Sequence, residues 1–198
     1  MNTKLNIAIL LFNQVEVLDF AGPFEVFSVA SEIHNHQFFN VFTVSKENKI
    51  IKTVNNLQVI ANHTFANHPK IDILIIPGGE GTKNLLLDTS LLQWIKTQHQ
   101  TAQITMSICS GAILLAKLGL LKNKPYCTHH QVYPFVEKID KTAIAKKNKR
   151  FVQIDSIYTS GGISAGIDLS FHILKKLTSQ KIAQSTATYM EYNIQNFS

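Results

Sequence analysis

The chain has 198 residues, 45% hydrophobic and 16% charged, which excludes a disordered chain and suits one domain, 1–198, with a sizeable core. Its net charge of +6 comes almost entirely from lysine, with Arg150 the only arginine. The guanidinium fork that reads phosphates and guanines is thus nearly missing, and nucleic acid is not the expected partner. Two cysteines without a CxxC pair exclude a disulfide scaffold, and no apolar stretch approaches the roughly twenty residues that span a bilayer, so a cytoplasmic protein with free thiols and no membrane contact is expected.

Strand-length apolar runs alternate with helical patterns. "LNIAILLF" (Leu5–Phe12) is continuously apolar, like a strand buried on both faces. It reads as a first strand and not as a signal peptide, because Asn13-Gln14 ends the run with no small-residue cleavage site. Ala21–Ile33 reads as a helix with Pro23 in its first turn, and Phe39–Ser45 as the second strand. Residues Lys49 to Asn67 are polar and interrupted by Asn55-Asn56, as in a hairpin off the main sheet. "IDILIIPGG" (Ile71–Gly79) is a buried strand ending in a sharp turn, and "DTSLLQWIKTQHQ" a helix capped by Asp88 or Thr89. "QITMSIC" is a strand, followed by the helix "SGAILLAKLGLL". "QVYPFVEKI" reads as a short helix, "RFVQIDSIYTSGG" as one or two strands around a turn, and "SAGIDLSFHILKKL" and "KIAQSTATYMEY" as closing helices. The alternation predicts an α/β, flavodoxin-like three-layer sandwich with a mostly parallel central sheet and a small accessory hairpin.

Open parallel sheets bind ligands outside the carboxyl ends of their strands. Asp19, the pair Gly78 and Gly79, and the pair Cys109 and Ser110 all fall at such ends. Cys109 sits where a strand turns into a helix, a geometry that lifts a side chain away from the sheet. The helix dipole there favours thiolate. The alternative is an inert buried cysteine. Gly78, Gly79 and Ser110 offer backbone N–H groups for an oxyanion-type hole. Asp19 reads either as an N-cap of the Ala21 helix or as a carboxyl beside the thiol, protonated by desolvation and able to hand on a proton. Glu25 reads as a structural first-turn residue.

His129 and His130 are either surface residues or a base beside the thiol. "HNH" (His34–His36) has ligand-like spacing, but no acidic or cysteine ligand nearby supports a metal. No GxGxxG or GxxxxGK[ST] motif points to a nucleotide. The run "KKNKR" at 146–150 reads as a solvated basic edge.

In order along the chain, "LDFAGPFEVF", "DILIIPGGEGT", "SICSGAILLAKLGLL", "CTHH" and "YTSGGISAGIDLSFHIL" resemble the ThiJ/PfpI family, within the class I glutamine amidotransferase-like fold. The N-terminal Asp-x-x-Gly-Pro-x-Glu-Val is similar to isonitrile hydratases and to the sensor domains of AraC-type regulators. "EYNIQNF" resembles the hydratase tail, with Asn193, Ile194 and Asn196 in place of an acidic residue and two prolines. The resemblance implies that Cys109 is the nucleophile and Asp19 its carboxyl partner, a glutamate in protease-like and deglycase-like members. Ser110 stands where hydratases carry threonine and protease-like members histidine, which disfavours a Cys–His mechanism.

The implied activity is addition of water to a small isonitrile through a covalent cysteine thioimidate, giving an N-substituted formamide. Asp19 and Ser110 would orient the water, and Phe20, His129 and Ile163 would line the pocket. No metal or organic cofactor is implied, and a homodimer is. The alternatives are a glyoxalase- or deglycase-like enzyme acting on small aldehydes, or a non-catalytic ligand- or oxidation-sensing protein. The AraC-type regulators need a further DNA-binding region, for which no room is expected after Tyr192.

Overall fold

The computed structural model describes residues 4–47 and 49–194. Its strands are β1 (Leu5–Leu10), β2 (Phe39–Ser45), β3 (Ile51–Lys52), β4 (Gln58–Val59), β5 (His63–Thr64), β6 (Ile73–Ile76), β7 (Ile104–Ile108), β8 (Pro125–Tyr126), β9 (Ile144–Ala145), β10 (Phe151–Ile154) and β11 (Ile157–Ser160). Its helices are α1 (Val17–Glu32), α2 (Thr82–Leu85), α3 (Thr89–Thr101), α4 (Ala112–Lys117), α5 (Tyr133–Ile139), α6 (Ala165–Leu177) and α7 (Gln180–Tyr189).

The main sheet runs β10-β11-β7-β6-β1-β2-β5, parallel throughout except where β10 turns back on β11. Helices α1, α6 and α7 pack together, and α4 packs with α2 and α5, so the central strands are covered. Ile7, Ile9 and Leu10 of β1 and Ile73–Ile76 of β6 have no exposed surface. Each fully buried aliphatic side chain of this kind contributes roughly 1.5–3 kcal/mol, which is why these runs carry no polar alternation. The strand order reverses between β1 and β6, creating a crevice at their carboxyl ends.

Several boundaries differ from expectation. Helix α1 begins at Val17 and not at Ala21, so Pro23 sits inside it and Asp19 within its first turn. Proline has no N–H to give the Asp19 carbonyl, and packing of the helix on the sheet and on α6 overrides that loss. The predicted hairpin is the β3–β4 pair alone, because β5 joins the main sheet beside β2. A small parallel pair, β8 with β9, joins residues too distant in sequence for periodicity to reveal. The helix after Cys109 begins as a 3-10 turn, Cys109–Gly111, and α4 stops at Lys117. Asp88 caps α3 by accepting from the Leu91 N–H at 3.0 Å. Among the described residues no helix is long and apolar enough to cross a membrane.

Candidate active site

The parallel pairings of β11, β7, β6 and β1 bring their carboxyl ends to one edge. β6 delivers Pro77-Gly78-Gly79, β7 delivers Cys109, β11 delivers Gly161-Gly162-Ile163, and the segment after β1 delivers Glu16 and Asp19. A cavity of about 310 Å³ opens there. It is lined by Cys109, Ser110, Gly79, His129 and Ile163, by apolar Val54, Ile113, Val132 and Phe135, and by Glu16, Glu80, Thr82, Lys83 and Gln131.

Cys109 has a positive φ of 54°. A left-handed non-glycine residue costs on the order of 1–3 kcal/mol and persists only where its surroundings over-determine it. Two bonds do so here. The Cys109 N–H donates to the Gly161 carbonyl at 3.1 Å, and the Thr128 hydroxyl donates to the Cys109 carbonyl at 2.5 Å. Ile163, a β-branched residue, also has φ 53°, and its N–H donates to Asp19 Oδ1 at 3.1 Å. A side chain at Gly78 would meet the Ser110 nitrogen at 2.5 Å and Cys109 Cβ at 2.8 Å, and Gly79 has φ 130°. Only glycine lets the β6 turn lie this close to the cysteine.

Asp19 is buried on α1 with no exposed surface. It does not cap its own helix. Oδ2 accepts from the Gly78 N–H at 2.9 Å, Oδ1 accepts from the Ile163 N–H at 3.1 Å, and the carboxyl lies close enough to the Cys109 thiol for each to shift the other's proton affinity. Burial pushes the Asp19 pKa up from 3.8 to about 7, against the lowering effect of the Gly78 N–H, with the Glu16 charge adding to the rise. Burial, and next the Asp19 charge, push the Cys109 thiol up to about 12. The two groups titrate as a pair. Burial thus favours the neutral form of both groups, and the carboxyl gives up its proton well before the thiol does.

The glycine donors are committed. Gly78 gives its N–H to Asp19, and Gly79 gives its N–H to Ser110 Oγ at 2.9 Å, so neither is left to serve an oxyanion hole. The Ser110 N–H is directed at the Cys109 sulfur and favours its charged form. The Ser110 hydroxyl is also occupied. It donates to the Gly79 carbonyl at 3.1 Å and accepts from Thr82 Oγ1 at 3.1 Å. This knits the β6 and β7 turns together and corrects the expectation that this hydroxyl orients water.

Phe20 packs into the hydrophobic core and does not line the cavity, because the early start of α1 turns it inward. His129 does line it, but the thiol's side-chain partner is Asp19. Burial, and next His130, lower the His129 pKa. Glu25 is exposed on α1. His34 is engaged with the Ala30 carbonyl and Ser185, and among the described residues no group of three or more potential ligands could hold a metal. Of the tail residues, Asn196 lies outside the described residues.

Glu16 and Thr82 are site residues that the sequence reading missed. Each lies three positions from a residue it had singled out, Asp19 and Gly79 respectively, and that spacing was the only available signal.

The DJ-1/PfpI family pattern matches residues 5–176. The chain is 31% identical over 188 residues to an isonitrile hydratase of Pseudomonas putida, covering 95% of this chain and 78% of that protein. It is 26% identical over 121 residues to a glutathione-independent glyoxalase, DJR-1.2 of Caenorhabditis elegans, covering 61% and 60%. It is 19% identical over 187 residues to the HTH-type transcriptional regulator GbdR of Pseudomonas aeruginosa, covering 94% of this chain and 50% of the regulator, so it spans half of that protein's length. The crystal structure of a ThiJ/PfpI family protein from Pseudomonas syringae superposes with a TM-score of 0.86 at 24% identity, covering 98% of this chain and 77% of that one. With a pattern match over most of its length and a relative above 30% identity, the chain belongs to the DJ-1/PfpI family.

Proposed function

We propose that this protein hydrates small isonitriles, with Cys109 as nucleophile and Asp19 as the group that moves protons. The observation that carries the reading is the buried Asp19 carboxyl beside a Cys109 held at positive φ on the wall of a cavity. The similarity to an isonitrile hydratase supports it. The Cys109 proton passes to Asp19 as sulfur bonds to the terminal carbon of R–N≡C. Asp19 returns that proton to the same carbon, giving the thioimidate R–N=CH–S–Cys109. A water then adds at this carbon, with one of its protons carried by Asp19 to nitrogen. The C–S bond breaks, the hydroxyl proton returns to sulfur, and R–NH–CHO leaves. Dividing the hydration into two steps is the advantage of a covalent intermediate. Ser110 has a positioning role, holding the Gly79 turn against Cys109. The reading includes a cytoplasmic homodimer, to be checked by sedimentation.

Purified protein incubated with an alkyl isonitrile is expected to release the N-alkyl formamide, detected by proton NMR. No formamide above a Cys109→Ala control would end this assignment. Lactate from methylglyoxal would instead favour the glyoxalase-like reading. Stable oxidation of Cys109 by mild peroxide, without turnover of either substrate, would favour sensing.

A further inference from the structure

The basic run at 146–150 is unused by this chemistry, yet it does not trail into solvent as an unanchored edge. The Lys146 N–H donates to the Tyr126 carbonyl at 2.7 Å, and the Lys146 carbonyl accepts from the Tyr133 hydroxyl at 3.4 Å. At the other end the Arg150 carbonyl accepts from the Gly161 N–H at 2.8 Å. The Arg150 guanidinium donates to buried Asp168 through Nε at 2.8 Å and to Ser164 Oγ at 3.1 Å. The run is therefore anchored to the same Gly161–Ile163 turn that holds Cys109 and Asp19.

Anchored in this way, it forms one wall of a second cavity, of about 470 Å³, lined by Lys147, Lys149, Arg150 and His130 and by no carboxylate. His129 and Ile163 line both this cavity and the one holding Cys109, so the two adjoin. One holds the Cys109 thiol among apolar and polar side chains; the other is lined by basic ones, with Arg150 paired to Asp168 and Lys147 to Glu137.

We propose that the second cavity binds a carboxylate at the far end of the substrate, making the preferred substrate class ω-isocyano carboxylates with a short alkyl spacer. The proposal rests on the hydratase reading for its reaction and adds the substrate class. Lysine and arginine donors bind carboxylate through charge-assisted hydrogen bonds. Lys147 now lies 3.7 Å from exposed Glu137 and 5.4 Å over the Tyr133 ring. An exposed ion pair of that kind is weak, so a substrate carboxylate can displace it. The apolar side chains Val54, Ile113, Val132 and Phe135 suit the spacer.

The test compares kcat/KM for a series of ω-isocyano carboxylates with that for their methyl esters. The acid of the best chain length is expected to be favoured about tenfold, equivalent to about 1.4 kcal/mol, and the preference should shrink as salt is raised. In Lys147→Gln/Lys149→Gln the acid-to-ester ratio should collapse toward one, while Lys147→Arg/Lys149→Arg retains it; thermal unfolding of both variants checks that they fold. Equal turnover of acid and ester by the wild type at low salt overturns the proposal and leaves the hydratase reading standing. If neither is turned over, the hydratase reading fails, and calorimetric titration with hexanoate decides the site by itself. Binding lost in the Gln variant supports a carboxylate site, and no binding overturns it. Lysine-dependent binding of duplex DNA without any carboxylate preference also overturns it.

Discussion

The two cysteines are alike in burial and in raised thiol pKa, and differ in what surrounds the sulfur. Cys109 is 9% exposed and Cys127 fully buried, and burial pushes both thiols up to about 12. Cys127 donates its thiol to the Thr159 carbonyl at 3.0 Å and its N–H to the Thr159 hydroxyl oxygen at 2.9 Å. A backbone carbonyl cannot accept the proton as a base, and Cys127 lines neither of the two cavities. Cys109 sits at positive φ on a cavity wall, with a carboxyl as its partner. A raised thiol pKa therefore does not distinguish the two cysteines. Their neighbours do, a carboxyl beside Cys109 and a backbone carbonyl beside Cys127.

The sharpest way to break this comparison is to exchange each sulfur. Cys109→Ser is expected to lower formamide formation by at least about 10³-fold, whereas Cys127→Ser should leave it within about twofold. Comparable losses in both would remove the distinction.

Next in size is the cost of the buried carboxyl. Asp19 binds its proton more tightly folded than unfolded, so its contribution to stability is fully present below about pH 4 and is lost as pH rises through about 7. The shift from 3.8 to about 7 is worth on the order of 4 kcal/mol. Measured by urea unfolding, the stability of the wild type relative to Asp19→Asn should fall by that order between pH 4 and pH 8. A difference that stays constant with pH would show that Asp19 is ionised at little cost.

Activity tests the same pair differently. On the proposed mechanism Asp19 must be ionised to take the thiol proton, so kcat/KM should rise through about pH 7, close to tenfold per pH unit below it. Asp19→Asn should flatten that rise and lower the plateau by about 10²–10⁴-fold. A wild-type profile flat from pH 5 to 8 would separate the thiol from the carboxyl. Smallest is the packing effect: Cys127→Ala should lose about 1 kcal/mol of stability with little change in turnover. If Cys127→Ala were neutral in stability, the bonds to Thr159 would be worth nothing measurable.

Much of the fold was legible because its signals are local. Continuous apolar runs identified β1, β6 and β7, and Asp88 announced the start of α3. The strand-to-helix join at Cys109 and the Pro-Gly-Gly turn pointed to the sheet edge where the cavity opens. Asp19 was visible with two readings, and the cap reading fails because α1 starts at Val17 and places Asp19 within its first turn. The commitments of the Gly78 and Gly79 N–H groups were hidden, because their partners Asp19 and Ser110 lie 59 and 31 residues away. Phe20, expected in the pocket, packs into the core instead.

By itself, the sequence determined the layered α/β architecture and the presence of a cysteine at a strand end, since hydrophobic periodicity and turn residues act over a few positions. The tertiary structure decided which groups face one another at the sheet edge and which N–H groups are already engaged. It also decided that a lysine run far along the chain walls a cavity beside Cys109. Those outcomes depend on the parallel registry of β11, β7, β6 and β1, and on the loops that registry brings within hydrogen-bonding distance, which no local pattern encodes.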